Sequence, residues 1–458
     1  MSTSLRMTER QYRELHAHLF PGDGLEAVAL LLCGRREDAE RPTLTVRRIV
    51  PIPHGQCDRK WESVTWPTDL VTDLLTENIG KKQAIVKIHG HGGDYRRFSP
   101  TDDRSDQLLF EAIGNFLEDN LPHASVVLMD DGELFGRTVN PDGQLGTPLR
   151  AVSVIGDSIH LNMRCAQQDE AFAHRHAQAF GRGTTSLLRN LSAAVVGCSG
   201  TGSIVIEQLA RLGFGRLVLV DPDVVEDKNL NRILNTTAED ARNATPKVEV
   251  AARFIRSLEL GQIVVPLQNH LTNRSVVHQV AACDMVFGCM DGVEGRHLLN
   301  RLATFYNLPY FDVGIRLDAD GNGGIDKIAG AVHYLQPGSS SLLSRGVYSM
   351  ARLQAEELKR TDPEAYRIQV EAGYVRGVDE DRPAVISVNM LFASLTVNEM
   401  LARLHAYRIQ PNGDYSQISV DLTDPHLYFE AESEDCELLR RHVGRGDVEP
   451  PLERPALS

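Results

Sequence analysis

Ser192-Ala193-Ala194-Val195-Val196, followed by Gly197-Cys198-Ser199-Gly200-Thr201-Gly202, is the stretch whose reading decides the fold. The apolar run predicts a strand, the glycine-rich run a loop, and the residues on to Leu212 a helix. Arg216–Val220 (RLVLV) predicts a second strand that closes on Asp221. Strand, glycine loop, helix and strand make a βαβ unit. Its loop amides and helix N-terminus can hold phosphate, and an acidic residue ending the second strand can hold ribose hydroxyls. Read as the dinucleotide fingerprint G-x-G-x-x-G, the loop has a defect, because Ser199 stands where the middle glycine belongs.

Working outward, Asp221-Pro222-Asp223 leads to Asn229-Leu230-Asn231-Arg232 and then Pro246-Lys247-Val248-Glu249. A further strand, Asp284–Met290, ends at Asp291, and Arg175-His176-Ala177-Gln178-Ala179-Phe180-Gly181 precedes the loop. When a carboxylate attacks the α-phosphate of ATP, the site needs cations around the phosphates and an acidic residue for magnesium. Arg175, Arg232 and Lys247 can supply the first, and Asp291, at a strand's C-terminal end, the second. A nicotinamide dehydrogenase would explain the glycine loop but would leave Arg232, Lys247 and Asp291 without a task.

The order of these motifs resembles the ThiF/MoeB family, the core of ubiquitin-activating enzymes, from Arg175 to Leu404. The match includes a strand at Pro309–Gly314 and a closing helix at Ser387–Leu401. The resemblance implies an α/β, Rossmann-like adenylation domain with a mainly parallel sheet, over residues 161–410. Gly197, Gly200 and Gly202 would form the nucleotide loop, Asp221 the ribose contact, and Asp223 and Asn229 would support nucleotide and metal. Arg232 and Lys247 would contact phosphates, and Asp291 would bind Mg2+. Arg175 would reach a neighbouring subunit's ATP, implying a homodimer. The implied substrate is the C-terminus of a ubiquitin-like protein, with a conjugating-enzyme-like protein as a further partner. Two family features are missing: paired C-x-x-C zinc ligands, and a cysteine between Cys289 and Cys436, where Gly338–Ser344 is serine-rich instead. Cys436 sits among carboxylates (AESEDCELL) that repel a thiolate and blunt its nucleophilicity.

The first 160 residues read as mixed α/β, with strands at Ala27–Leu32, Thr43–Val50, Ala84–Ile88 and Ser125–Met129 and a helix over Asp106–Leu121. At the end of the third strand stand His89-Gly90-His91, then Ser99 and Asp102. Histidines at i and i+2 of a strand point to one face and can reach one metal ion. A following carboxylate can complete a three-ligand site, leaving a fourth tetrahedral position for water, as catalytic zinc requires. A further carboxylate must move protons, and Glu26 stands just before the first core strand.

This set resembles the JAMM (MPN-type) metalloproteases, whose pattern is a glutamate, later H-x-H, seven residues, and S-x-x-D. The resemblance implies Zn2+ held by His89, His91 and Asp102, Glu26 as general base, and Ser99 steadying the tetrahedral intermediate. Asp103 is the alternative ligand. Gly92-Gly93 replaces the family's usual proline. Members cut the bond after the C-terminus of ubiquitin-like proteins, and relatives without the ligands act as scaffolds.

The chain of 458 residues has a net charge of −14, distributed as −6, −1 and −7 over residues 1–160, 161–410 and 411–458. With 42% hydrophobic and 24% charged residues it has the composition of a globular protein. The acidic balance opposes nucleic-acid and anionic-membrane binding. No segment approaches the ~18 apolar residues of a membrane span, and Met1–Arg13 lacks a signal peptide's apolar core. Seven scattered cysteines fit a reducing cytoplasm. The concentrated charge marks residues 411–458 as an acidic extension, expected to meet a basic partner face. Asp318–Gly323 imitates a calcium loop, but its twelfth position would be Ala329, so a hairpin turn is expected. Together these features predict a fusion of a modifier-activating adenylyltransferase with a zinc peptidase that processes or removes the modifier. Such a fusion looks like those of bacterial ubiquitin-like operons, some linked to phage defence. The alternatives are sulfur-carrier activation in cofactor or cysteine biosynthesis, and a non-catalytic modifier-binding scaffold.

Overall fold

The computed structural model describes residues 3–38, 40–118, 120–163, 171–372 and 383–457. The chain divides into two compact units: Met1–Arg164 with Phe305–Asn307 and His442–Glu449, and Cys165–Thr304 with Leu308–Arg441 and Pro450–Ser458. The expected acidic extension is therefore shared between the two units, not a body of its own. Several of its carboxylates are spent internally: Glu432 on Arg345, Asp421 on Lys327, and Asp447 on the Tyr306 hydroxyl.

The first unit is built on a nine-stranded mixed sheet. Its strands are β1 (Ser4–Thr8), β2 (Val28–Arg36), β3 (Thr43–Pro51), β6 (Ala84–His91), β7 (His123–Met129), β8 (Leu134–Val139), β9 (Leu145–Pro148), β10 (Ala151–Ile155) and β11 (Ile159–Met163). A small hairpin of β4 (Asp58–Arg59) and β5 (Val64–Thr65) stands apart from it. The large sheet runs β11-β10-β1-β3-β2-β6-β7-β8-β9. Alternation puts Leu31, Val86 and Val126 in one apolar cluster, with α1 (Glu9–Leu19), and Leu30 and Ile85 in another. The second cluster is covered by α2 (Asp69–Asn78) and α3 (Pro100–Leu117). The expected helix over Asp106–Leu121 thus starts earlier, because Ser99 caps it and Pro100 opens it.

The second unit begins with α4 (His174–Asn190), broken at Gly181. There follow β12 (Ser192–Val196), α5 (Gly200–Leu212), β13 (Arg216–Val220), α6 (Ala238–Arg242), α7 (Lys247–Ser257), β14 (Ile263–Leu267), α8 (Arg274–Ala281), β15 (Met285–Gly288) and α9 (Val293–Phe305). The unit continues with β16 (Tyr310–Ala319), β17 (Ile325–Leu335), α10 (Met350–Thr361), α11 (Pro363–Glu371), α12 (Ile386–Leu404), β18 (Gln417–Asp421) and β19 (His426–Glu430). The sheet order is β14-β13-β12-β15-β16-β17-β18-β19, with β14 to β16 parallel and the rest antiparallel. Strand order reverses between β12 and β15, the crevice where open α/β sheets take ligands. Asp320–Gly324 is the expected hairpin turn, its backbone tied by the Asp320 carboxylate. Among the described residues no helix is long and apolar enough to cross a membrane.

Candidate functional sites

The glycine loop leaves β12 at the reversal point. Gly197 has φ +93°, and a Cβ there would stand 2.5 Å from the Cys289 carbonyl oxygen. Gly202 serves packing, since a Cβ would stand 1.7 Å from the Gly197 carbonyl oxygen. It is absent from the cavity's lining, whereas Gly200 begins α5 and faces an adjoining cavity.

A cavity of about 490 Å³ is lined by Gly197, Asp221, Asp223, Asn229, Arg232, Lys247 and Asp291. One sequence stretch after another thus arrives at the same place. A second cavity, about 640 Å³, shares Ser199, Arg232 and Asp291 with it. Lys247 opens α7 with its side chain buried, and its Nζ lies 2.8 Å from Asp223 Oδ2. Asn229 Oδ1 accepts from the Glu226 amide at 3.0 Å. Arg232 donates to the Lys228 carbonyl at 2.6 Å and presents its flank to both cavities.

Two expected roles sit differently in the structure. Asp221 spends one oxygen on the Cys198 amide at 2.7 Å and the other on the Asp223 amide at 2.9 Å. It braces the loop from below, and burial pushes its carboxyl up. Asp223, its side chain 63% exposed, is the carboxylate at the rim, paired with Lys247 through one oxygen. Arg175 is exposed on α4, donates to Gln178 at 3.4 Å, and is not among the lining residues.

The structure also brings in residues that the sequence reading left out. Arg296, in the first turns of α9, donates to the Met290 and Val313 carbonyls at 3.1 and 3.0 Å and lines, with Asp291, a third cavity rather than the two beside the glycine loop. Glu356 accepts from the Glu294 amide at 2.9 Å, Arg360 pairs with Glu294 at 2.7 Å, and both line the two glycine-loop cavities. A cation one turn beyond Asp291 was a readable signal for Arg296; nothing local announces α10. Cys436 is buried, its amide donating to the Ser339 carbonyl at 3.0 Å.

In the first unit, His89 and His91 extend β6 beyond its expected end, and their Nε2 atoms lie 3.0 Å apart. Asp102 Oδ1 is 3.0 Å from His89 Nε2, and Asp102 Oδ2 is 3.5 Å from His91 Nε2. Bonds of about 2.0–2.1 Å at tetrahedral angles place ligand atoms roughly 3.3 Å apart, so the spacing suits zinc. Among the described residues these three form the one group of His, Cys, Asp and Glu that could hold a metal. His91 Nδ1 is held 3.3 Å from the Tyr95 carbonyl, whereas His89 Nδ1 is buried with no partner. Burial would push Asp102 up, but hydrogen bonds from His89, His91 and Ser99 outweigh it and hold the carboxyl far below the usual range.

Ser99 is the N-cap of α3: its Oγ donates to Asp102 Oδ2 at 2.7 Å and accepts from the Asp102 amide at 3.1 Å. The motif S-x-x-D is thus also a capping box, which fixes the ligand's rotamer. Asp103 turns away to pair with Arg137. Glu26 Oε1 lies 4.0 Å from His91 Nε2, and burial pushes its carboxyl up to about 7. A dication beside it would lower that value.

A Rossmann-like sheet with a glycine loop, ringed by cations and strand-end carboxylates, defines a nucleotide-binding α/β protein. A family model described as the ThiF family matches residues 173–437, more than half of the chain. The chain belongs to the ThiF family. SAMP-activating enzyme E1 of Haloferax volcanii is 34% identical over 149 residues, 32% of this chain and 54% of that protein. Ubiquitin-like modifier-activating enzyme 5 of Drosophila mojavensis is 26% identical over 166 residues, 34% of this chain and 39% of that protein. Adenylyltransferase and sulfurtransferase MOCS3 of Danio rerio is 34% identical over 123 residues, 27% of this chain and 26% of that protein. The chain spans about half or less of the length of these relatives.

Proposed function

We propose that this chain is a bifunctional enzyme of a ubiquitin-like modifier: its second unit adenylates the modifier's C-terminus, and its first is a JAMM-type zinc peptidase acting on the same modifier. The observation that carries the first half is the convergence of Asp223, Asn229, Arg232, Lys247 and Asp291 on one cavity beside the glycine loop. There the modifier's terminal carboxylate oxygen attacks the α-phosphorus of ATP. The bond to the bridging oxygen breaks and pyrophosphate leaves, with Arg232 and Lys247 facing the growing negative charge. Lys247 must exchange Asp223 for phosphate, which frees Asp223 for the ribose hydroxyls. Asp291 would hold Mg2+, which neutralises the pyrophosphate. Arg175 would enter a second copy's site, making the enzyme a homodimer.

A second reading of the same chemistry, sulfur-carrier activation, is favoured by the match to MOCS3 and by the absence of cysteine between Cys289 and Cys436. It differs in product, a thiocarboxylate. On the leading reading the adenylate passes to a cysteine of a conjugating-enzyme-like partner.

In the first unit, His89, His91 and Asp102 would hold zinc, which supplies Lewis acidity and activates water. Glu26 would take the water's proton and return it to the leaving amine. Mixing the chain, a candidate modifier and ATP should give modifier-dependent pyrophosphate exchange; none at any candidate from the neighbouring genes sinks the activation half. Cleavage of a modifier fusion that survives Glu26→Gln sinks the peptidase half.

A further inference from the structure

Lys87, His89 and His91 alternate along β6 and face one side of the sheet. Asp102 and Asp106 lie four residues apart on α3 and face back toward them. Lys87 Nζ donates to Asp106 Oδ1 at 2.7 Å and to Ser105 Oγ at 3.2 Å. Asp106 Oδ2 accepts from Arg137 Nη2, on β8, at 2.7 Å. Arg137 also pairs with Asp103, and its guanidinium carbon stands 3.8 Å from the Phe98 ring centroid. The side chains of Lys87 and Asp106 are 4% and 0% exposed. A buried rung of opposite charges therefore lies one step along from the His89–Asp102 rung and spans the same strand and helix.

We propose that Lys87, acting through Asp106 and Ser105, is a positioning residue of the metal centre. It fixes the rotation of α3 over β6 so that one carboxylate meets both imidazoles. The role rests on reading His89, His91 and Asp102 as a zinc site. Apolar packing between strand and helix is non-directional and would tolerate a small roll. A roll of ~15° moves a carboxylate ~5–6 Å from the helix axis by roughly 1.5 Å, beyond the ~0.5 Å that such a site tolerates. Two directed bonds from one ammonium to neighbouring residues of α3 stop that roll. The two carboxylates and two cations also balance, so no net charge is left beside the ion.

The test is zinc affinity of the full-length chain by chelator competition, together with the visible spectrum of its cobalt(II) form. Lys87→Met leaves Asp106 paired with Arg137. The double variant Lys87→Met with Asp106→Leu removes the rung without leaving Lys87 or Asp106 unpaired. Both should bind zinc about 10- to 100-fold more weakly and shift the cobalt bands, while Lys87→Arg recovers them. Wild-type affinity and an unchanged cobalt spectrum in both variants overturn the role and leave the centre intact. A wild-type chain that takes up no stoichiometric zinc overturns the centre and the role together. Variants that lose affinity only in step with the fold of this unit, unrescued by Lys87→Arg, reduce the pair to packing and overturn the role as well.

Discussion

The His-Asp cluster and the glycine-loop cavity solve opposite problems. The cluster takes two side chains from alternate positions of one strand and a third from the first turn of the next helix, all within fourteen residues of chain. It is buried, and its donor atoms already stand at ligand spacing. The cavity is open and collects its groups from the ends of β12, β13 and β15, from α7 and from α10. Its cations are parked on carboxylates: Lys247 on Asp223, Arg360 on Glu294. An ion of fixed coordination needs a rigid cage of a few atoms. A nucleotide needs many weak contacts, and charged groups that serve it are offset by neighbouring carboxylates.

If the two sites work independently, damage to one should spare the other. Lys247→Ala should cut modifier-dependent pyrophosphate exchange by about 10²–10³-fold and leave cleavage of a modifier fusion unchanged. Equal loss of both activities would break the comparison. Chelation should act in the reverse sense. Zinc held at 100 to 1,000 times its dissociation constant adds about 2.7–4.1 kcal/mol to the unit that binds it. Stripping it should lower that unit's unfolding midpoint by roughly 6–16 °C, measured by calorimetry, with the second unit's transition in place.

A finer cut separates the two carboxylates after β13. Asp221→Ala strips two loop amides of their acceptor and should cost about 1–3 kcal/mol of stability, read from denaturant unfolding. Asp223→Asn, which keeps an oxygen acceptor for the buried Lys247 ammonium, should cost less stability than Asp221→Ala and raise the KM for ATP severalfold. A reversed pattern would return the ribose role to Asp221.

The last comparison is acid sensitivity. Burial holds His123 at about 3, His333 at about 3 and His297 at about 4, with nearby arginines adding to it. The unfolded chain takes up these protons near 6.5, so below that pH it binds more protons than the folded chain. The stability from keeping them neutral is whole above pH 6.5 and drains as pH falls toward 3–4, by up to roughly 1.4 kcal/mol per histidine per pH unit. Only His123 belongs to the first unit, so His333→Gln with His297→Asn should flatten the acid limb of the second unit alone, followed by pH-jump unfolding.

The two strands of the second unit's first βαβ were legible to the residue, although α5 starts at Gly200, inside the expected loop. β12 and β13 are continuous apolar runs punctuated by glycine, and buried parallel strands have that pattern. That His89, His91 and Asp102 come together was legible because strand alternation and a capping box are local rules. The parts missed are those held by distant chain. Arg296 and the lid of Arg360 and Glu356 depend on how α9 and α10 pack. The acidic stretch after residue 410 looked like one appendage because charge counts along the chain ignore pairing. In the fold it splits, and its segment at Gly444 and Gly446 is sealed onto β2 and β3, where a Cβ would stand 2.1–2.4 Å from backbone atoms.

The sequence by itself determined the two candidate sites, because H-x-H with S-x-x-D and the glycine loop after an apolar strand are short-range patterns with fixed backbone consequences. Tertiary structure alone decided which carboxylate braces the loop and which pairs with Lys247 at the rim, and which aspartate faces the histidines. It also decided that a buried lysine stands beside the His89–Asp102 rung. Each of these depends on which groups lose water and which partner then satisfies them, and the partners come from elements far apart in the chain.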